Sequence, residues 1–459
     1  MQKKIIALAV AAVASGAAFA QSNVTISGNL NYQWENISGS NPTMANLAGF
    51  ANQAAREGRN RVNENASELK FSVTEDLGNG LKAMAVIASG VQPTETISTA
   101  GTAVGGGTGS RGGLGGRDTY LGLSGNFGTV VAGRLSVHYN SAGKVDNFHE
   151  GTGVAASTMG ILGGVGGATG TNTQGYGIGA GGRLGSTVAY VTPTFSGFNA
   201  TVGYARPNVS GATPDGVTEQ PTAAGSTTAR KESGWTVKAN FDNGPITAFA
   251  SYLAHSDVTA AANVVWQNTA NTALTSMTAA AIVGAGGSTA YSREVRGFRT
   301  GAAYTFGNGF KVGLIYDNTK TLWRDDSGNA NSQDDDLNLK RTVWAVPVSF
   351  VSGPHTVGGT YARAGNLDAG GTLSTAAMNA GLADVSQTGA TYWMLGYQYA
   401  FSKRTNVSAT YARMDNDSRA NYDFWTNGQM NVANTAPTTL ANTRGSDPTT
   451  VQIGIKHSF

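Results

Sequence analysis

From residue 24 onward the chain alternates. Val24, Ile26, Leu30, Tyr32 and Trp34 share one parity, whereas Thr25, Ser27, Asn29, Asn31 and Gln33 share the other. Successive side chains of a strand point to opposite faces, so this stretch predicts a strand apolar on one side and polar on the other. The same period recurs at Leu69/Phe71/Val73, Leu81 to Ile87, Thr119 to Leu123, Val188/Tyr190, Phe198 to Tyr204, Trp235 to Phe241 and Ile246 to Tyr252. It continues at Phe298 to Phe306, Phe310 to Tyr316, Trp344 to Phe350, His355 to Tyr361, Trp393 to Tyr399, Val407 to Tyr411 and Val451 to Phe459. Gly128 to Arg134 adds a strand whose parity the sequence leaves open, for a total of about sixteen, an even number as single-chain bacterial barrels require.

The connections alternate in length. Short ones such as Glu75 to Gly80, Asp242-Asn243-Gly244-Pro245, Gly307-Asn308-Gly309 and Ser352-Gly353-Pro354 are built from residues that favour tight turns. Long polar ones fall at 35–66, 88–116, 135–182, 205–233, 253–295, 317–340, 363–386 and 414–448. Loops this long are improbable in a compact soluble domain but expected on the outer side of an outer-membrane barrel, whose periplasmic turns are short. Insertion at every second connection also argues against a solenoid. The pattern predicts an all-β fold: one transmembrane antiparallel barrel over residues 21–459, with aromatics near the strand ends forming two interfacial girdles.

Composition agrees with this. No apolar run in 21–459 is long enough for a membrane helix. The 64 glycines and 13% charged residues suit strands that need apolar residues only at alternate positions. With no cysteine there is no disulfide framework and no thiolate metal site. Lys3 and Lys4, the apolar run Ile5 to Val13 and Ala18-Phe19-Ala20 read as a secretory signal over 1–20, cleaved after Ala20. Losing those two lysines takes the formal charge from +3 to +1, which does not point to a nucleic-acid partner.

Several segments carry a resemblance: Gln21 to Thr25, Glu75 to Ala83, Tyr120 to Val130, Gly133-Arg134, Phe195 to Phe198, Tyr397 to Thr405 and Gly454 to Phe459. In this order, over the whole mature chain, they resemble the trimeric general-diffusion porins of beta-proteobacterial outer membranes. The resemblance implies a sixteen-stranded barrel, a homotrimer and a third extracellular loop, about 135–182 here, folded into the lumen. It also implies that the aromatic Phe459 is read by the barrel-assembly machinery, and that outer-membrane lipid and lipopolysaccharide surround the wall. Such proteins often carry an arginine in the sixth strand at the constriction, where this chain has Ala189.

Parity assigns the charge. With the polar face inward, Lys70, Lys82, Lys238, Arg299, Lys311 and Lys456 line the lumen, opposed by Glu68 and Asp118, with Arg134 and Arg183 beside them. Asp146 and Glu150 are the acidic candidates on loop 3, facing Lys70, Lys82 and Arg134 across the eyelet. One charge roughly 5–8 Å from a passing ion is worth about 0.5–0.8 kcal/mol in water before screening. A basic wall of this kind predicts passive diffusion of small hydrophilic solutes and ions with modest anion preference.

Competing motifs are weaker. The acidic run Asp325, Asp326, Asp334, Asp335 and Asp336 lacks calcium-loop spacing, and the GxGxxG-like stretch at Gly164 to Gly170 follows no strand and opens no helix. His138, His149, His255, His355 and His457 show no paired ligand spacing, and no G-x-S-x-G elbow occurs. Neither a cofactor nor a catalytic residue is expected. A substrate-selective channel for anions or organic acids is the first alternative; a barrel adhesin or barrel enzyme is the second.

Overall fold

Backbone pairing carries the strands well beyond the stretches that the apolar pattern marks. The computed structural model describes residues 23–39, 59–64, 67–91, 114–136, 142–146, 158–162, 183–205, 233–257, 264–267, 274–277, 291–325, 337–370, 385–418, 420, 422–424 and 445–459. Residues 1–20, expected to be a secretory signal, and Glu150 lie outside them.

The first half of the chain contributes β1 (Asn23–Gly39), β2 (Arg59–Glu64), β3 (Glu68–Gly78), β4 (Leu81–Gly90), β5 (Thr119–Gly125), β6 (Gly128–Ser136), β7 (Arg183–Val191) and β8 (Phe198–Ala205). Then come β9 (Ser233–Asn243), β10 (Ile246–Asp257), a separate hairpin of β11 (Val264–Gln267) and β12 (Leu274–Met277), β13 (Tyr291–Thr305), β14 (Phe310–Asp325) and β15 (Leu337–Ser352). The chain ends with β16 (His355–Ala364), β17 (Asp368–Gly370), β18 (Ala390–Ala400), β19 (Thr405–Asn416) and β20 (Pro448–Ser458).

All but β11 and β12 form one antiparallel sheet of 18 strands, and β20 pairs back onto β1 to close it. Because β2 and β3 both pair with β1, and β16 and β17 both pair with β15, the eighteen strands make sixteen staves. Closure leaves no free edge, which a strand structure in hydrocarbon requires.

Two local geometries secure the closure. At the β3–β4 turn Gly78 faces Leu81, and Asn79 and Gly80 both have positive φ, 53° and 77°, the mirror-image turn that matches strand twist. At the seam, Phe459 and Gly28 exchange backbone hydrogen bonds of 3.0 Å. A side chain at Gly28 would meet the Phe459 ring at 2.9 Å and the Glu68 carbonyl oxygen at 2.3 Å, so the glycine makes room for the terminal aromatic.

The outer face is the apolar one. Val24, Ile26, Leu121, Leu314, Leu395 and Ile453 are each more than half exposed, whereas Asn31, Gln33, Thr236 and Ser251 on the inner face are buried. A continuous apolar belt of this extent is unfavourable in water and stable in lipid. On the long-loop side it is rimmed by aromatics in contact across strands, as at Tyr204–Trp235 (4.6 Å), Trp344–Tyr361 (5.4 Å) and Trp393–Tyr411 (5.0 Å). The rim is interrupted over β3 to β7, where Leu69, Ile87, Leu121, Ala132 and Val188 take those places.

Several connections read as loops are partly strand, 363–386 among them, which holds β17. β14 runs to Asp325 and β15 begins at Leu337, within 317–340; β1 and β2 occupy part of 35–66, and β11–β12 lies within 253–295. Outward positions there include Asn318, Lys320 and Lys340, so the apolar half of the alternation fades while the hydrogen-bond ladder continues. The parity of β6 is also fixed: Val130 faces outward and Val131 inward.

Candidate pore and its charged lining

Register places the inner residues in rows. Ser27 on β1 faces Lys70 on β3, which faces Ala88 on β4; Asp76 faces Lys82, which faces Ser124 on β5. At the seam Asn406 faces Lys456, which faces Asn31. Farther round, Thr201, Lys238, Ser251, Arg299, Asp317 and Val343 stand opposite one another across β8 to β15. Lys70, Lys82, Lys238, Arg299, Lys311 and Lys456 therefore all occupy inward positions.

The inner wall is not uniform. Residues 142–146 and 158–162 pack against the inner face of the second half of the barrel. Ala142, Val145, Met159, Ile161 and Leu162 form one apolar cluster with inward side chains that include Phe249, Ile315, Val343, Ala362, Tyr392 and Met414. Ile161 and Leu162 are fully buried, and Ile37, Tyr422 and Phe424 extend the cluster toward the long-loop end. Apolar burial worth about 1.5–3 kcal/mol for each large side chain fixes these segments to the wall. Polar anchors are added: Lys144 Nζ lies 2.9 Å from Asp242 Oδ2, and Lys311 donates to the Lys144 carbonyl oxygen.

Beneath this cluster the charges are buried. Arg299 Nε donates to Asp317 Oδ2 at 2.7 Å, Thr319 donates to Asp317 Oδ1 at 3.2 Å, and Arg341 Nη2 lies 3.8 Å from the same oxygen. Arg299 Nη1 also reaches Met159 Sδ at 3.3 Å, tying loop 3 to the cluster. Arg341 lies 5.5 Å from the Tyr422 ring, whose phenol burial pushes up in pKa while the guanidinium pulls it back. Lys238 is 9% exposed and sits 5.5 Å over the Phe249 ring. On the opposite wall Lys82 is exposed and Lys70 and Lys456 are half-buried; Lys311 on β14 is likewise half-buried and the Lys144 side chain is 70% exposed.

Other expected residues sit differently. Arg134 faces Thr119 in the row that continues through Ala132 and Leu121, whose positions point outward, so register removes it from the lumen. Arg183 is held by Asp118 at 2.7 Å, and Asp118 also accepts from Ser136, at the end of the β6–β7 pair. Glu68 lies 3.6 Å from Arg117. Asp146 is inside but 1% exposed, hydrogen-bonded by Thr158 and within the field of Lys311, rather than an open carboxylate facing Lys70 and Lys82. Ala189 does stand on the inner face, opposite Val131 and Gly203.

A sequence profile for Gram-negative porins matches residues 7–420. The chain belongs to the Gram-negative porin family. Among curated porin relatives, outer membrane porin protein 32 of Delftia acidovorans is 33% identical over 203 residues, covering 44% of this chain and 48% of that protein. Major outer membrane protein P.IA of Neisseria meningitidis serogroup C is 32% identical over 104 residues, 23% of each. The chain thus spans about half or less of the length of these relatives. Among solved structures, an anion-selective porin from Comamonas acidovorans matches over 96% of this chain and 100% of its own, with a TM-score of 0.57 and 20% identity. A trimer form of OmpT, an outer membrane protein of Vibrio cholerae, covers 95% and 99% with a TM-score of 0.53 and 14% identity. Both show a shared porin fold.

Among the described residues, the inward charges that sequence reasoning missed include Glu35, Asp317 and Arg341. Glu35 is fully buried, accepting from Arg61 and, at 3.2 Å each, from Gln33 and Gln452. All three lie beyond the apolar alternation; the parity of Ile315, Asp317 and Thr319 would have found the second, had the strand been extended.

Proposed function

We propose that this porin is a water-filled channel of the outer membrane, through which small hydrophilic solutes and ions diffuse passively with a modest preference for anions. The observation that carries the reading is the pairing of an exposed apolar outer belt with an inner wall that carries Lys70, Lys82, Lys311 and Lys456 against the exposed carboxylates of Asp76 and Asp242. The name of the Comamonas structure points the same way. No covalent step is assigned. In planar bilayers the protein should conduct, and a tenfold salt gradient should give a reversal potential of the anion-selective sign. A cation-selective sign would overturn the wall assignment, and absence of conductance would favour an adhesin or enzyme barrel.

A second reading, selection of organic acids, draws support from one patch. Inward Met84 on β4 and Tyr120 on β5 pack on the cluster Val131, Leu135 and Ala189, with Lys82 two residues from Met84. A cation beside an apolar strip suits a carboxylate with an apolar tail. Saturable uptake of such acids by proteoliposomes, above that of sugars of equal size, would separate the two readings.

We further infer a homotrimer whose subunit contact covers β3 to β7. The interrupted aromatic rim supports this, because Tyr and Trp gain most where a wall meets the lipid interface. Loop 3 then forms the constriction, Phe459 serves as the assembly signal, residues 1–20 are removed on export, and lipopolysaccharide meets the remaining wall.

A further inference from the structure

Inward charges crowd one end of the lumen. Lys82 is the second residue of β4, Lys311 the second of β14, and Lys456 stands three residues before Phe459. Asp76 and Asp242 sit at the same level, each within two residues of the end of its strand at a short turn. Lys144 on loop 3 joins them: its Nζ lies 2.9 Å from Asp242 Oδ2, and Lys311 donates to the Lys144 carbonyl oxygen. The Lys144 side chain is 70% exposed, so its charge faces water rather than the wall.

Packing fixes this depth. A Cβ on Gly313, the fourth residue of β14, would meet Val145 Cγ1 at 2.8 Å and Pro347 Cγ at 3.1 Å, and one on Gly143 would meet the Phe249 ring at 3.3 Å. The two glycines let this part of loop 3 lie close on the wall beside the short turns. Asp242 also accepts from Thr247 at 2.9 Å, which holds the carboxylate in place for Lys144. The segment 158–162 reaches higher: Met159 touches Arg299, six residues from Thr305 at the short-turn end of β13, or about 20 Å along the strand.

Charge is therefore uneven along the axis. At the short-turn end these four lysines, with Lys403 and Arg404 in the β18–β19 turn, face Glu75, Asp76, Asp146 and Asp242, a surplus of two cations. Glu150 is the one further carboxylate in 135–182, and counting it here still leaves a surplus. Residues 21–459 carry +1 in all, so the rest of that stretch is at −1, and its long connections hold Asp325, Asp326 and Asp334 to Asp336. Higher in the lumen Glu35 is paired with Arg61, Glu68 with Arg117 and Asp317 with Arg299.

We propose that anions are selected at the short-turn mouth, with Lys144 the determining residue on loop 3 and Lys82 acting with it from β4, and that the channel therefore conducts unequally in its two directions. With the long-loop side positive, anions enter through the charged mouth while cations arriving from the far side are held back there. Both ions then accumulate in the lumen and conductance rises. At the opposite voltage both are drawn out and it falls. The asymmetry needs a Debye length comparable to the mouth, which is about 10 Å at 0.1 M salt and about 3 Å at 1 M. The proposal rests on the channel reading: a protein that gives no conductance fails that reading, whereas one that conducts equally in both directions fails this one alone.

The test is single-channel recording of the purified porin with its orientation marked. The chain has no cysteine, so Ser352→Cys in the exposed β15–β16 turn takes a single biotin, and streptavidin disturbs the current only from the chamber that the short turns face. In symmetric salt at about 0.1 M, the current with the long-loop chamber positive should exceed that at the equal and opposite voltage roughly 1.5-fold, and the ratio should approach unity at about 1 M. Lys144→Gln/Lys82→Gln should remove most of the asymmetry at low salt, and Lys144→Arg/Lys82→Arg should keep it. Lys70→Gln, eight residues up β3 from Gly78, should not reduce it. Equal wild-type currents, asymmetry of the opposite sign, a ratio that survives the double Gln variant, or one that falls as far with Lys70→Gln would overturn the proposal.

Discussion

Neutralising Lys82 is the most direct probe of the basic wall. Lys82 faces Asp76 and Ser124 and is exposed in the lumen, so a permeating ion can approach its ammonium through water. At roughly 5–8 Å the unscreened interaction is about 0.5–0.8 kcal/mol, falling to about 0.2–0.4 kcal/mol with a Debye length of about 8 Å. An anion gains this amount and a cation loses it, so Lys82→Gln should lower the anion-to-cation permeability ratio roughly two- to fourfold. Reversal potentials in a salt gradient measure that ratio directly, and adding Lys70→Gln should lower it by a similar further factor. The shift should shrink as mean salt rises. Arg299 supplies the contrast: fully buried under Met159 and paired with Asp317, its replacement by Gln should move the ratio less than Lys82→Gln does. If Lys82→Gln leaves the ratio unchanged while Arg299→Gln shifts it, the field of the buried cluster sets selectivity and the accessible-wall reasoning fails.

The other predictions concern what holds the lumen in shape. Asp317→Ala strands two buried guanidinium groups and should destabilise the barrel by about 3–5 kcal/mol, read from its denaturant midpoint, whereas Arg299→Met with Asp317→Leu should cost much less. Lys144→Ala breaks an exposed ion pair and should lower stability by at most about 1 kcal/mol, read from the same denaturant midpoint. Ile161→Asp puts a charge into the apolar cluster and should raise conductance or its noise by releasing loop 3. Removing Phe459 should lower the amount of inserted protein more than the conductance of channels that do insert, which quantitative blotting alongside bilayer recording would check.

What could be read in advance follows from which solvent acts on each residue. Inside the lipid belt the demand for an apolar outer face imposes strict alternation, so the strand count, the parity of Lys70, Lys82, Lys238, Arg299, Lys311 and Lys456, and the turn at Asn79-Gly80 were legible. Beyond the belt both faces are polar, and Glu35, Asp317 and Arg341 were lost among loop residues although they lie on continuous ladders. Arg134 was ambiguous because Gly128 and Gly133 break the apolar pattern of β6; only its pairing with Thr119 fixes the side. The position of Asp146 was illegible for another reason. Its neighbours Lys311 and Thr158 are brought to it by a long-range fold inside the lumen, for which the Gly-rich loop sequence has no period.

The uneven lumen has a physical logic of its own. A barrel of sixteen staves encloses too much space for its own side chains to fill, so an inward loop must be either solvated or packed. Here the described parts of loop 3 are packed, because β13 to β19 present Ile315, Val343, Ala345, Ala362, Ala390, Met394 and Ala412 inward where a water-filled wall would carry polar groups. Those small and apolar side chains build a core against the inner face, beside the buried Arg299, Asp317 and Arg341, and the alternation that distinguishes lumen from lipid is weaker there. Water and solutes are left the complementary half, where Ser27, Asn29, Lys70, Lys82 and Lys456 keep the inner face polar. On the proposed reading, selectivity and stability are carried by different walls. Charge changes on β3, β4 and β20 should tune permeation with little effect on folding, whereas changes on β13 to β15 should do the reverse.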